Sequence, residues 1–259
     1  MIPNDIHNEI LKRIKAAEKE HNVKVLFAIE SGSRAWGFAS PNSDYDVRFI
    51  YVHPRDWYLT IDVEDKRDVI EYPIVDEIDI NGWDIRKALK LLWKSNPGIV
   101  EWLQSPIVYV DDGIFASAAR SLLPTIYSPK KGIYHYLSMA KTNYRGHLKE
   151  DIVPIKKYFY VLRPLLSIMW LEQNQKPAPI EFHKLREMLT DHAEVNHEIE
   201  LLLERKKRSQ EKEIAPAIPL LNKFIEEILA HYEEVQFTEP DKSRDISPLN
   251  QLFQQFLIV

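Results

Sequence analysis

A chain of 259 residues, 45% apolar and 28% charged, can bury a sizeable core as one large domain or two smaller ones, and it is not globally disordered. Its net charge of -5 argues against a grip on duplex DNA through excess positive charge, and the absence of cysteine excludes disulfides and zinc–thiolate sites. The first twenty residues carry Asp5, Glu9, Lys12, Arg13 and Lys15 and do not read as a secretory signal, and no apolar run reaches the roughly 18–20 residues of a membrane helix, so the expectation is a soluble, cytoplasmic protein with no membrane partner.

In chain order, Asp5 is placed to cap a first helix whose stripe is Ile6, Ile10, Ile14 and Ala17. Val23, Val25, Phe27 and Ile29 alternate as in a strand, and a tight turn at Gly32-Ser33 follows. A second strand is expected from Asp44 to Val52, with Asp44, Asp46 and Arg48 on one face and Tyr45, Val47 and Phe49 on the other. Segments 67–72 and 75–80 read as two more strands, closed by Asn81-Gly82. Asp84 then opens a helix carrying Ile85, Ala88, Leu89, Leu92 and Trp93. Ser95-Asn96-Pro97-Gly98 is a stop and turn before a short helix at 99–103, and 107–110 is a last strand candidate.

Beyond residue 113 the character changes. All seven glycines lie at or before Gly146, and helical patterns are expected near 114–122, 131–149, 155–174, 180–190, 194–212, 217–234 and 247–257. The fold expected is α+β: a small mixed sheet flanked by helices over residues 1–112, then an all-helical domain over 113–259, with the site in the cleft between them. The run from Glu204 to Glu213 reads as a solvated helix end. Trp83, Trp93 and Trp102 read as core, and the nine histidines show no metal-ligand spacing.

Asp44 and Asp46 are the first candidates for chemistry. Two residues apart on a strand they share a face, with Cα atoms roughly 6.5–7 Å apart. Two-metal phosphoryl transfer needs carboxylates that hold two ions about 3.5–4 Å apart, with a third carboxylate from a neighbouring strand. Glu71, Asp76, Glu77, Asp79 and Asp84 are available. With Ile78 and Ile80 in the core, parity puts Glu77 and Asp79 on the opposite face, and an assumed strand order makes Asp79 the first choice and Glu77 the second. A D-x-D alone would be an ordinary exposed strand face, but here a Gly-Ser turn precedes it, offering backbone N–H groups and a hydroxyl to phosphate. Arg34 suits either a phosphate contact or fastening of the turn.

The expected helix at 155–174 is apolar nearly all round and so buried, yet Lys156, Tyr160, Arg163 and Ser167 form one polar stripe, with Lys157 beside it. Buried cations need an anionic partner: a carboxylate of the protein, or a nucleotide triphosphate lying between the two units.

Gly32-Ser33, ten residues, then Asp44-Tyr45-Asp46-Val47 resembles the signature of the polymerase-beta superfamily of nucleotidyltransferases. The fuller run from Gly32-Ser33-Arg34-Ala35-Trp36-Gly37 to Ser43-Asp44-Tyr45-Asp46-Val47-Arg48 is similar to the RNA-ligase-associated (RlaP-type) family. So are Lys94-Ser95-Asn96-Pro97, Glu101-Trp102-Leu103, Ser105-Pro106 and the segment Lys157 to Pro164. The resemblance implies that Gly32 and Ser33 hold the β- and γ-phosphates of an NTP. It implies that Asp44 and Asp46 coordinate two Mg²⁺ ions, and that Asp79 ligates the catalytic ion and helps deprotonate an attacking hydroxyl. The all-oxygen donor set suits Mg²⁺.

The leading expectation is therefore transfer of a nucleoside monophosphate from an NTP to a hydroxyl of RNA, protein or a small molecule, with release of pyrophosphate. The alternatives are a nucleotide- or RNA-binding module without catalysis and an antitoxin-like protein that modifies a partner.

Overall fold

The computed structural model describes residues 2–208, 213–238 and 244–257. Helix α1 (Asn4–His21) buries Ile10, Ile14 and Ala17, as their spacing requires. Asp5 lies inside its first turn and Pro3 stands at the cap. Asn22 closes the helix in the left-handed region (φ 49°) and turns the chain into β1 (Lys24–Glu30).

There follow α2 (Gly32–Trp36), β2 (Tyr45–Val52), α3 (Arg55–Tyr58), β3 (Val69–Glu71), β4 (Ile78–Asp84), α4 (Ile85–Trp93), α5 (Pro97–Leu103) and β5 (Val108–Asp111). The five strands form a mixed sheet in the order β3-β4-β2-β1-β5, in which only the β2–β4 pair is parallel. Parity divides β2 cleanly. Tyr45, Val47, Phe49 and Tyr51 pack in the core under α1, whereas Ile50 and Val52 join the opposite core, built with α4 and α5. Asp46 and Arg48 share that second face but lie at the start of the strand, where the helices leave it half open.

β4 does not stop at Asn81-Gly82, as the dipeptide predicts; it runs through them to Asp84. Tertiary packing overrides the turn signal. Gly82 pairs with Phe49, and a Cβ there would fall 2.7 Å from Phe49 Cδ2, so the glycine makes room for the ring. Asp84 caps α4 by accepting from the Arg86 N–H at 2.8 Å. Trp83 and Trp102 stack at 3.8 Å, as core residues do.

The rest of the chain is α6 (Phe115–Ile126), α7 (Pro129–His147), β6 (Ile152–Pro154), α8 (Lys156–Asn174), α9 (Phe182–Leu185), a 3₁₀ turn (Arg186–Leu189), α10 (Ala193–Arg208), β7 (Ile214–Pro216), α11 (Pro219–Glu234) and α12 (Ser247–Gln255). β6 and β7 form a two-stranded antiparallel ladder inside what reads as an all-helical segment. Three-residue strands holding Pro154 and Pro216 leave no period to detect. Helix α8 is the axis of this part, with Phe159, Leu162, Leu165, Leu166 and Ile168 fully buried.

Packing cuts across the sequence break at 112/113. α6 and α12 bury Phe115, Ala119, Leu249 and Leu252 in the sheet-side core. Conversely, Phe38, from the loop after α2, enters the helical core and stacks on Phe159 at 4.7 Å. Of the run from Glu204 to Glu213, residues 209–212 lie outside the described residues. Arg205 pairs with Glu213 at 2.6 Å, and Lys206 is buried, so this end of α10 is not wholly solvated. No helix among the described residues is long and apolar enough to cross a membrane.

Candidate nucleotidyltransferase site

The site forms where β1 and β2 run past one another. β1 ends at Glu30, and the Ser31 N–H donates to the Asp46 carbonyl at 2.8 Å. Gly32 then opens α2 in the left-handed region (φ 58°), which glycine adopts without strain. Its missing side chain has a second purpose. A Cβ on Gly32 would lie 2.7 Å from Asp46 Cγ, closer still to Oδ2. The glycine of the Gly-Ser turn is thus the residue that lets the Asp46 carboxylate lie against the turn. The first N–H groups of α2 have no acceptor within the helix, the usual state of a helix start.

Arg34 fastens this turn. Its Nη2 donates to the Ser43 carbonyl at 2.5 Å and its Nε to the Asp44 carbonyl at 3.2 Å, while the guanidinium lies 3.8 Å over the Tyr45 ring. Of the two expectations for Arg34, the structure shows the contacts of a fastener.

Asp46 and Asp79 are direct partners in the parallel register of β2 and β4. Parity and register therefore bring Asp79 to the site. Glu77 sits two residues earlier, exposed and at φ 61°, in the turn that leads into β4. Asp44 precedes β2 instead of opening it, and its carboxylate is exposed, with no hydrogen bond or ion pair among the described residues. Between Asp46 and Asp79 lies Arg48. Its Nη2 donates to Asp79 Oδ2 at 2.7 Å and to Asp46 Oδ1 at 3.2 Å, and its Nη1 to the carbonyls of Asp79 (2.8 Å) and Val47 (3.0 Å). Asn81 Nδ2 donates to the other Asp79 oxygen at 2.6 Å. The carboxylate pair is thus bridged by an internal cation, and its oxygens are donors of the kind that Mg²⁺ takes together with phosphate oxygens and water. In this arrangement no three His, Asp or Glu side chains among the described residues converge on one point.

Beneath Asp46 is a group the sequence did not advertise. Glu30 is fully buried; its Oε1 accepts the Asp46 N–H at 2.9 Å and its Oε2 the Tyr109 hydroxyl at 2.5 Å. Burial pushes its pKa up to about 7, against the lowering effect of these two hydrogen bonds. One polar residue closing an apolar strand was the only signal.

The stripe on α8 divides. Arg163 is 3% exposed, and its Nη2 donates to both oxygens of Glu101, on α5, at 3.0 Å each. Glu101 also accepts from the Tyr136 hydroxyl at 2.8 Å. The counter-charge of Arg163 is thus a carboxylate, contributed from the strand-bearing part of the chain. The guanidinium lies 4.2 Å over the Trp36 ring of α2, and Tyr160 meets the same ring edge-on at 5.6 Å. Arg163 Nη1 and Trp36 Nε1 are buried without an acceptor among the described residues. Lys157 lies 5.1 Å over the Tyr160 ring, and partial burial together with Lys156 lowers its pKa. Lys156 and Lys157 are half-buried, and Ser167 donates back to the Arg163 carbonyl at 2.9 Å. On α7, Lys141 pairs with Glu233 of α11 at 2.9 Å, and the following Lys149 pairs with Glu226 at 2.7 Å.

A likeness to known proteins bears on this arrangement. A crystal structure of a nucleotidyltransferase-like protein from Exiguobacterium sibiricum 255-15 matches over 94% of this chain and 88% of its own, at 12% identity. The TM-score is 0.36. An uncharacterized protein, YcgL, of Bacillus subtilis (strain 168) is 44% identical over 244 residues, which are 94% of this chain and 93% of that protein. The model of the RNA repair pathway DNA polymerase beta family matches residues 6–255, a span that holds the turn, all three aspartates and the α8 stripe. The chain belongs to that family, RlaP, and shares the general nucleotidyltransferase character of the polymerase-beta lineage.

Proposed function

We propose that this protein transfers a nucleoside monophosphate from an NTP to a hydroxyl acceptor on RNA or protein, releasing pyrophosphate. The observation that carries the proposal is the pairing of Asp46 with Asp79 on adjacent strands, with Asp46 held against the Gly32 turn. Asp44, Asp46 and Asp79 would hold two Mg²⁺ ions. Bound there, the ions would neutralise the triphosphate and the charge that develops on the leaving pyrophosphate. Gly32 and Ser33 would bind β- and γ-phosphate oxygens through α2's opening N–H groups and the Ser33 hydroxyl. Asp79 would take the acceptor's proton as its oxygen bonds to the α-phosphorus and the bond to pyrophosphate breaks. Lys156, Lys157 and Tyr160 would line the far side of the nucleotide, with Arg163 positioning α8 behind them through Glu101. Support for that placement comes from the contact of Tyr160 with Trp36 of α2. Arg34 would act indirectly, by fixing the turn.

A second reading, a nucleotide- or RNA-binding module without catalysis, draws on Arg48, whose guanidinium fills the place between the carboxylates. Incubation with Mg²⁺, each α-labelled NTP and total RNA or lysate separates the two. Label transferred by the wild type and lost in Asp46→Asn supports the enzyme. Nucleotide binding by both proteins without transfer by either supports the module.

A further inference from the structure

Arg48 is placed to do more than neutralise two neighbours. It stands two residues after Asp46 on the same strand face, and four acceptors surround it: the carboxylates of Asp46 and Asp79 and the carbonyls of Val47 and Asp79. The three side chains are largely enclosed, at 18% exposure for Arg48, 29% for Asp46 and 20% for Asp79. A guanidinium keeps its charge at any physiological pH, so this one cannot leave the carboxylates by losing a proton. A divalent ion held by both carboxylates would meet a like charge at close range and in a half-enclosed setting, where repulsion is poorly screened. Ion and guanidinium therefore compete for one place. Once displaced, Arg48 would need a new anion within reach of its stem, and its planar fork matches phosphate oxygens.

We propose that Arg48 is a built-in counter-ion whose displacement couples the binding of a divalent cation to the binding of a polyphosphate; this rests on the reading of Asp46 and Asp79 as metal ligands. Without polyphosphate the guanidinium holds the site and divalent ions bind weakly. With polyphosphate Arg48 turns to the phosphate oxygens, and ion and nucleotide load together. Reciprocity follows, because each ligand must strengthen the other by the same factor. Lysine would do this poorly, since its single nitrogen cannot bridge two carboxylates and two carbonyls at once.

The test is Mn²⁺ binding to the full chain, read from the free-ion electron paramagnetic resonance signal. It is run with and without an α,β-methylene nucleoside triphosphate, against a protein-free control for ion held by the triphosphate itself. Arg48→Gln is expected to bind Mn²⁺ alone about tenfold more tightly than wild type, and to lose most of the enhancement that the triphosphate confers on wild type. Equal affinities for Arg48→Gln and wild type, with binding lost in Asp46→Asn, overturn the role of Arg48 and leave the metal site standing. Undiminished binding in Asp46→Asn removes the metal site and the proposal with it. If Arg48→Gln does not fold, Arg48→Lys decides by the same comparison: tighter binding than wild type supports the proposal, and equal binding overturns it.

Discussion

Gly32 and Asp46 meet where no side chain could stand between them: a Cβ on Gly32 would fall 2.7 Å from Asp46 Cγ, in a residue that also needs φ 58°. The turn and the carboxylate are therefore one construction, in which the missing side chain of Gly32 is what lets the carboxylate lie against the turn. Gly32→Ala should push the Asp46 carboxylate off the turn and strain the backbone, at a cost of about 1–3 kcal/mol in stability. A thermal melt checks the stability, and Mn²⁺ binding checks the carboxylate. An unchanged melting temperature with intact Mn²⁺ binding would show that the close approach is not needed.

Arg163 and Glu101 form a buried ion pair across the two parts of the chain. Removing one partner leaves the other charged and desolvated. Arg163→Ala should therefore cost about 3–5 kcal/mol. Replacing both, as Arg163→Met with Glu101→Gln, should recover a large part of that loss. Urea unfolding of the single and double variants reads the difference, and strict additivity of the two single effects would refute the coupling.

Glu30 makes stability depend on pH. Its folded-state pKa of about 7 stands above the ordinary value of 4.5, so the folded state binds the proton more tightly. The stabilisation is fully present below pH 4.5 and is lost as pH rises through 7, by about 3 kcal/mol in all. Glu30→Gln keeps one acceptor oxygen and removes the titrating proton, so its stability should fall less than that of wild type between pH 5 and 7.5. The comparison must be between the two proteins. His53, held down to about 4 by burial, gains stability with pH in the opposite sense, and Asp84, raised to about 6 by burial, adds to the trend of Glu30. Parallel curves for the two proteins would dismiss Glu30 as the source.

Gly82 lies under the Phe49 ring in the middle of β4, so Gly82→Ala should force the ring aside and cost about 1–3 kcal/mol. Phe49→Leu should relieve the clash and restore part of the loss. Denaturant midpoints of the three variants decide it, and an alanine variant as stable as wild type would contradict the packing.

Much of this protein is legible in its residues alone. Ile10, Ile14 and Ala17 determine α1 and its buried face, because a 3.6-residue period leaves no other stripe. The alternation of Tyr45, Val47 and Phe49 puts Asp46 and Arg48 on the other face of β2, and parity in β4 puts Glu77 and Asp79 together on the face opposite Ile78 and Ile80. These are local consequences of backbone geometry. Register and charge partnership are not local. That Asp46 and Asp79 are direct neighbours depends on parallel pairing of two strands separated by the β3 hairpin, which parity cannot supply. Arg163 carries the same stripe in sequence whether its partner is a phosphate or Glu101, sixty-two residues away, and only the packing of α5 against α7 and α8 decides. The asparagine–glycine pair at 81–82 spells a turn, yet an aromatic ring from the next strand holds it in the sheet. Backbone period is written in the order of residues. Which charge meets which, and which glycine yields to which neighbour, follows from segments far apart in the chain competing for the same volume.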